Sequence, residues 1–203
     1  MNNYYRLVIS GVARSGKNLM ARSIIRFLTG KGISAKEYAF ATELRKELNP
    51  LTTLNLGISA FTQDEAEKKI VRPLLMVWGT DIWRKLDENH WVKKIDAAIQ
   101  NDAHPHIAVV SDGRFENEIK WAQKNGYVIH LERRQDGKIV PPNNSDEEKN
   151  DPIVKKLANF NHIWETFGED FDNLGYYDTV NLLNKIFPPE QIQTWQQDFP
   201  IPT

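Results

Sequence analysis

The segment Gly11-Val12-Ala13-Arg14-Ser15-Gly16-Lys17-Asn18 carries the spacing Gly-x-x-x-x-Gly-Lys, and the chemistry of that spacing is the holding of phosphates. The glycines let the backbone curl into a nest of N–H donors, a helix starting at Lys17 adds positive potential, and the lysine ammonium reaches the outer phosphate oxygens. The candidate nucleotide contacts are Gly11, Ala13, Arg14, Ser15, Gly16, Lys17, Asn18 and Leu19. Asn18 stands where Ser or Thr usually ligates magnesium, and its amide oxygen is a weaker ligand. Asp112 follows the apolar run Ile107-Ala108-Val109-Val110-Ser111. A carboxylate at the C-terminal end of a buried strand can hold magnesium or accept a proton from an attacking oxygen. Read alone, it could instead be the N-cap of the next helix, although the phosphate loop on the neighbouring edge favours function.

Arginines supply the remaining charge. Arg114 lies two residues beyond Asp112, and Arg133 and Arg134 end another apolar run. Guanidinium groups stay charged and bind phosphate oxygens two at a time, so three of them on one rim suit phosphoryl transfer. Singly, each could be a solvated surface arginine. Arg72 and Arg84 fall in a helical region where an acceptor could dock, although Arg84 has no motif of its own. The five histidines show no ligand spacing, and His104-Pro105-His106 reads as a loop leading into a strand. Ser10 and Ser15 have no histidine–carboxylate partner evident in sequence, so a hydrolase triad has no support. Trp78 and Trp91 are core candidates that could instead line a base pocket.

The elements that must position these groups alternate as in an α/β protein with a parallel sheet. Strand-like runs fall at 5–10, 35–40, 107–111, 127–132 and, more weakly, 161–165. Residues 19–28 read as the helix after the phosphate loop. Residues 41–100 are helical and too long for an ordinary crossover. Within them Ala66, Ile70, Leu74 and Val77 keep one face. Pro73 predicts a kink or a fresh helix start, Gly79 a helix end, and Thr80 or Asp81 the next cap. Trp91, Ile95 and Ile99 mark another buried face. Phe115, Ile119 and Ala122 mark a helix ending near Gly126. Residues 136–152 are polar and proline-bearing and read as a mobile loop. Residues 188–203, with Trp195 and Phe199, could form a short helix packing back on the body.

Composition excludes several classes. The 203 residues suit one domain with a buried core, and 40% apolar content with six tryptophans indicates a globular chain. A net charge of −1 gives no bulk attraction to polymeric nucleic acid. Cysteine is absent, which excludes disulfides and thiolate metal sites and fits a reducing compartment. No run approaches the ~20 apolar residues of a membrane span, so a cytoplasmic protein is expected.

Taken in order, the motifs resemble those of the phage-type deoxynucleoside monophosphate kinases, within the P-loop nucleoside-monophosphate-kinase-like superfamily. The matching pieces are residues 10–17, Tyr38-Ala39-Phe40-Ala41 with Leu44-Arg45, and Arg72-Pro73-Leu74-Leu75-Met76-Val77-Trp78-Gly79-Thr80-Asp81. Trp91-Val92, Ser111-Asp112-Gly113-Arg114-Phe115-Glu116-Asn117-Glu118 and Val128-Ile129-His130-Leu131-Glu132-Arg133 follow. They span most of residues 5–135, and the final third matches only loosely.

The resemblance implies a P-loop NTPase fold, three-layer α/β/α with a five-stranded parallel sheet, as one kinase domain over residues 1–203. Its core would be about 1–40 and 101–203, with a helical monophosphate-binding insertion at about 41–100 and a lid at about 133–155. It implies transfer of the ATP γ-phosphoryl group to a deoxynucleoside monophosphate, with magnesium as cofactor. Lys17, Asp112, Arg114 and Arg133 would be catalytic. Phe40, Arg72, Trp78, Gly79, Thr80, Asp81, Trp91 and Glu118 would form the acceptor side, and Asp112 with Asn18 would meet the metal. Partners would be ATP and the monophosphate, with no polymeric nucleic acid and no membrane; an exposed face of the insertion could make a homodimer. If phage-encoded, the protein would work in the host cytoplasm. Two positions depart from the family. At Asn18 relatives with Asp suggest that the hydroxyl is dispensable, and the ion is expected to lean on Asp112 and ATP oxygens; Pro73 interrupts a helix usually free of proline, which puts the aim of Arg72 in question. A dephospho-coenzyme A kinase, another small-metabolite kinase, or a non-catalytic nucleotide-binding or DNA-packaging accessory protein remains open on the same residues.

Overall fold

A computed structural model describes residues 4–104, 106–166, 168 and 170–202, which leaves Pro105 and Thr203 outside the described residues. The chain divides into two compact units, Met1–Tyr38 with Ile99–Thr203, and Ala39–Ala98.

The first unit is built on a six-stranded sheet. Its strands are β1 (Tyr4–Ser10), β2 (Ala35–Tyr38), β3 (His106–Gly113), β4 (Gly126–Gln135), β5 (Lys138–Ile139) and β6 (Phe160–Glu165). Five of them run parallel in the order β2-β3-β1-β4-β6. The sixth, β5, is a two-residue antiparallel addition to the end of β4. The expected five-stranded parallel sheet is therefore present, with this short hairpin strand added to it.

Helices cover both faces, which is why β1 and β3 are buried almost throughout rather than alternating. Leu7, Ile9, Ile107, Val109, Ile129 and Leu131 point to one face, against Ile24 and Phe27 of α1 (Lys17–Gly30) and Leu182 and Leu183 of α7 (Phe171–Ile186). Trp195 of α8 (Pro189–Asp198) and Phe199 close that layer, so the C-terminal segment does pack back on the body. Val8 faces the other way, towards Ile119 of α5 (Glu116–Gln123), and α6 (Ser145–Leu157) packs beside α5. This is the three-layer α/β/α architecture of P-loop proteins.

Residues 136–152, read from composition as a loop, are mostly ordered structure. Gly137, with φ +74, turns the β4–β5 hairpin. The helix α6 then starts at Ser145 because Asn144 caps it, accepting the Glu147 N–H at 2.9 Å. Asp146, Glu147 and Glu148 in its first turn and Lys155 and Lys156 in its last complement the helix dipole, and Pro152 is carried inside. The helix α5 stops at Gln123, and Gly126 opens β4 instead of ending the helix.

The second unit is helical: α2 (Phe40–Leu56), α3 (Glu65–Met76), a π-helix (Val77–Arg84) and most of α4 (His90–Gln100). Asp64 caps α3 through the Ala66 and Glu67 N–H groups, and the helix runs through Pro73 without a fresh start. Gly79 does not end a helix. It has no positive φ, and a Cβ there would lie 2.9 Å from Leu44 Cδ2. Glycine is needed for close packing on α2, and the chain continues through it as π-helix. Among the described residues no helix is long and apolar enough to cross a membrane.

Candidate active site

The phosphate loop leaves β1 at Ser10 and turns through three left-handed residues, Gly11 (φ +131), Arg14 (φ +65) and Gly16 (φ +100), before α1 begins. Gly16 also has no room for a side chain, since a Cβ would lie 2.8 Å from Trp164 Cζ3. No acidic residue occupies the first turn of α1, and no side chain caps it. Its positive end is left to attract an anion. Lys17 lies folded back on the loop, donating to the carbonyls of Gly11 (2.8 Å) and Val12 (2.6 Å). Burial, with Arg114 nearby, lowers its pKa to about 8, against the upward pull of Glu147, Asp112 and Asp151.

A cleft of about 590 Å³ opens at this edge of the sheet, within the usual range for a ligand pocket. Ala13, Arg14, Gly16, Lys17, Asn18, Leu19, Asp112, Arg114 and Arg133 all line it. Gly11 and Ser15 are buried and shape the loop without lining the cleft. Asp112 is aimed by a β-bulge: the pairing of β1 with β3 passes from Val8↔Val110 to Ser10↔Gly113, so β3 carries one extra residue there. Strand alternation separates the two arginines of β4. Arg133 turns to the cleft, with Nη2 donating to Gln135 Oε1 (3.1 Å). Arg134 does not line the cleft, which corrects its place on the rim; its Nη1 donates to Oε1 of Glu165, a residue of the cleft wall, at 2.7 Å. Arg133 Nε is buried with no hydrogen-bond partner among the described residues.

The sequence reading missed Ser111, Trp164, Glu165, Thr166 and Phe171 in the cleft wall. A signal existed for three of them. Once 161–165 is a parallel strand, its C-terminal residues must reach the same edge as Asp112. Glu147 was also missed. Its carboxylate accepts the Ala13 N–H on Oε1 (3.1 Å) and Oε2 (3.2 Å) and lies 3.4 Å from Arg114 Nη1. Asn144 three residues before it has capping-box spacing, a mark of the helix start but not of this contact.

Ser10, in contrast to the sequence reading, does meet a histidine and a carboxylate. Its Oγ is 3.1 Å from His130 Nδ1, and His130 Nε2 is 3.7 Å from Asp151. Ser10 and His130 are both fully buried, so no substrate reaches that hydroxyl and the grouping is structural. Burial lowers the His130 pKa to about 4 and raises that of Asp151.

The acceptor candidates divide. Glu118 is 1% exposed, and its carboxylate accepts the N–H groups of Arg114 (2.7 Å) and Phe115 (3.1 Å). It therefore shapes the turn that carries Arg114 and meets no substrate. In the second unit Trp91 is 2% exposed, with Nε1 donating to Gly79 O (3.0 Å), and is a core residue. Phe40 and Gly79 are buried too. Trp78 is half-buried and donates to Glu47 (3.0 Å), while Thr80 is half-buried. Exposed Asp81 pairs with Lys85 (3.1 Å), and exposed Arg72 lies 4.0 Å from Glu65. Trp83 stacks on His90 at 4.0 Å, a contact the sequence reading did not foresee.

Among the described residues no group of three His, Cys, Asp or Glu could hold a metal ion. Asp112, a carboxylate of the cleft wall, with the Asn18 amide, fits an ion delivered on phosphate oxygens, as magnesium usually is.

No family model matches the chain, and no curated protein matches it in sequence. Solved structures do. A dephospho-CoA kinase from Campylobacter jejuni is 15% identical, with 90% of this chain and 98% of that one covered at a TM-score of 0.42. A shikimate kinase from Bacteroides thetaiotaomicron is 10% identical over 90% and 97%, also at 0.42. A shikimate kinase from Acinetobacter baumannii, in complex with shikimate, is 12% identical over 92% and 97% at 0.40. At these scores the likeness carries no weight of its own, and the fold rests on the strand order and the loop.

Proposed function

We propose that the protein is a phosphotransferase that moves the γ-phosphoryl group of ATP to a deoxynucleoside monophosphate. The observation that carries the donor half is the convergence of Lys17, Asp112, Arg114 and Arg133 on one cleft at the N-terminus of α1. The monophosphate acceptor rests on the ordered motif resemblance, with Arg72, Trp78, Thr80 and Asp81 assigned to it.

In the reaction an oxygen of the acceptor phosphate bonds to the γ-phosphorus while the bond to the β,γ-bridging oxygen breaks, leaving ADP and a deoxynucleoside diphosphate. This chemistry needs alignment and charge neutralisation more than covalent help. Lys17 neutralises the outer phosphates of the donor. Arg114 and Arg133 hold the oxygens of the group in flight, where charge builds up. Asp112 and Asn18 would hold magnesium, which supplies Lewis-acid neutralisation of phosphate charge.

The test is a coupled ADP-release assay with ATP, magnesium and each common deoxy- and ribonucleoside monophosphate. ADP release dependent on a deoxynucleotide supports the reading. Turnover only with another acceptor, such as dephospho-coenzyme A, would move the protein to another kinase class. ATP binding without acceptor-dependent turnover would make it a binding protein.

A further inference from the structure

Glu147 sits where a carboxylate is costly unless it is fully compensated. It is 6% exposed, and burying a charge requires donors and a cation in place of water. Every compensating group belongs to the cleft or to the segment behind it. The Ala13 N–H reaches both its oxygens, the Asn143 N–H donates at 2.9 Å, and Arg114 Nη1 lies 3.4 Å away. Four residues earlier, Asn143 Oδ1 accepts Arg14 Nη2 at 3.0 Å. Residues 143–147 thus grip the phosphate loop at its tip and at the Ala13 peptide, and grip Arg114 from the same helix start.

Two arrangements could explain a carboxylate among phosphate-binding groups. It could stand in for a phosphate that must displace it, or it could stand behind the site and set it. The cleft decides between them. It keeps its volume of about 590 Å³ with the Glu147 carboxylate in place, and Glu147 is not among its lining residues. The Ala13 amide is already committed to Glu147, so its direction is set before any ligand arrives. Arg114 is a long side chain, 45% exposed on its own. Without an anchor it would spread over many rotamers, and freezing it at each turnover would slow the reaction.

We propose that Glu147 is a positioning residue of the cleft. It fixes the Ala13 peptide of the phosphate loop and holds Arg114 at the angle from which it meets the transferred phosphoryl group. This rests on the phosphoryl-transfer reading of the cleft. Glu147 touches neither nucleotide nor acceptor and acts through its two partners. The same carboxylate also places a negative charge near the phosphates, so its loss should not weaken ATP binding.

The experiment is a double-mutant cycle of Glu147→Gln and Arg114→Ala, read as kcat and KM for ATP, with thermal melting of each variant. Beside it, amide exchange at Ala13 is measured by NMR in the unliganded wild type and in Glu147→Ala. Glu147→Gln is expected to lower kcat by about 10- to 30-fold with KM for ATP unchanged or lower. In the Arg114→Ala background it should lower kcat less than about twofold, because the glutamine amide oxygen still accepts the Ala13 N–H and the ion pair that the substitution removes is already gone. Ala13 exchange should rise at least about tenfold in Glu147→Ala. Additive losses in the cycle, a raised KM with unchanged kcat, or unchanged Ala13 exchange would each overturn the proposal. A wild-type protein that transfers no phosphate but shows the Ala13 effect would instead overturn the reading of the cleft, leaving the grip on the loop in place.

Discussion

Replacing Gly16 by alanine tests whether the loop geometry is what the cleft depends on. Gly16 has φ +100 and ψ 12 at the start of α1, a region where an L-residue costs about 1–2 kcal/mol. The added methyl would also lie 2.8 and 2.9 Å from Trp164 Cζ3 and Cε3. Trp164 is buried and cannot swing into solvent, so overpacking adds about 1–3 kcal/mol. The expected loss is about 2–5 kcal/mol, or roughly 4–20 °C in Tm for a chain of this length. Gly32 is the control: its φ is +78, but a methyl added there would meet nothing within 4 Å. Gly32→Ala should therefore cost only the backbone part, about 1–2 kcal/mol. Urea unfolding of both variants gives the comparison, with unchanged m-values confirming that stability alone has moved. Trp164→Phe, which shortens the ring system facing the methyl, should restore part of the Gly16→Ala loss. If Gly16→Ala cost no more than Gly32→Ala, the packing argument would be wrong.

Other outcomes follow from the same geometry. The Lys17 pKa is lowered from 10.5 to about 8, so between those values the unfolded chain binds the extra proton and this group's contribution to stability rises with pH. The cation that phosphate needs is lost over the same window. ATP binding should take up a proton near pH 8.5 and almost none at pH 6.5, as read by calorimetry in buffers of different ionisation enthalpy; equal uptake at both would refute this. Asp112→Ala should lower kcat about a hundredfold or more and Asn18→Ala less than about tenfold. The reverse order in steady-state kinetics would put the metal on Asn18. Arg133→Ala should cost about a hundredfold in kcat/KM, whereas Arg134→Ala, which loses only an exposed pair with Glu165, should stay within about threefold. Equal losses would contradict the alternation along β4.

The parallel sheet was readable because its strands are buried on both faces and stand out as unbroken apolar runs, Leu7 to Ile9 and Ile107 to Val110 above all. The weaker run at 161–165 alternates, since Asn161, Ile163 and Glu165 are exposed on the β6 edge. Missing its importance meant missing Trp164 to Thr166 in the cleft. The phosphate loop was legible because glycine is needed at Gly11 and Gly16 for local reasons. The helix α6 was not, because it buries only Glu147 and Val154 and so shows no apolar stripe. Nothing local separates Glu147 from Asp146 and Glu148; its contacts with Ala13 and Arg114 join residues far apart in the chain. Gly79 failed for a related reason, since its need for glycine comes from Leu44 in another helix. Long-range packing is the information a single sequence hides.

The central claim is that this cleft hands the γ-phosphoryl group of ATP to a nucleotide acceptor. The direct measurement is transfer of label from γ-labelled ATP in the presence of magnesium and each deoxynucleoside monophosphate, with the products separated by chromatography. The expected result is label in a deoxynucleoside diphosphate, formed mole for mole with ADP and abolished in Lys17→Met. Label that stays in ATP, or appears only as inorganic phosphate, with every acceptor would contradict it.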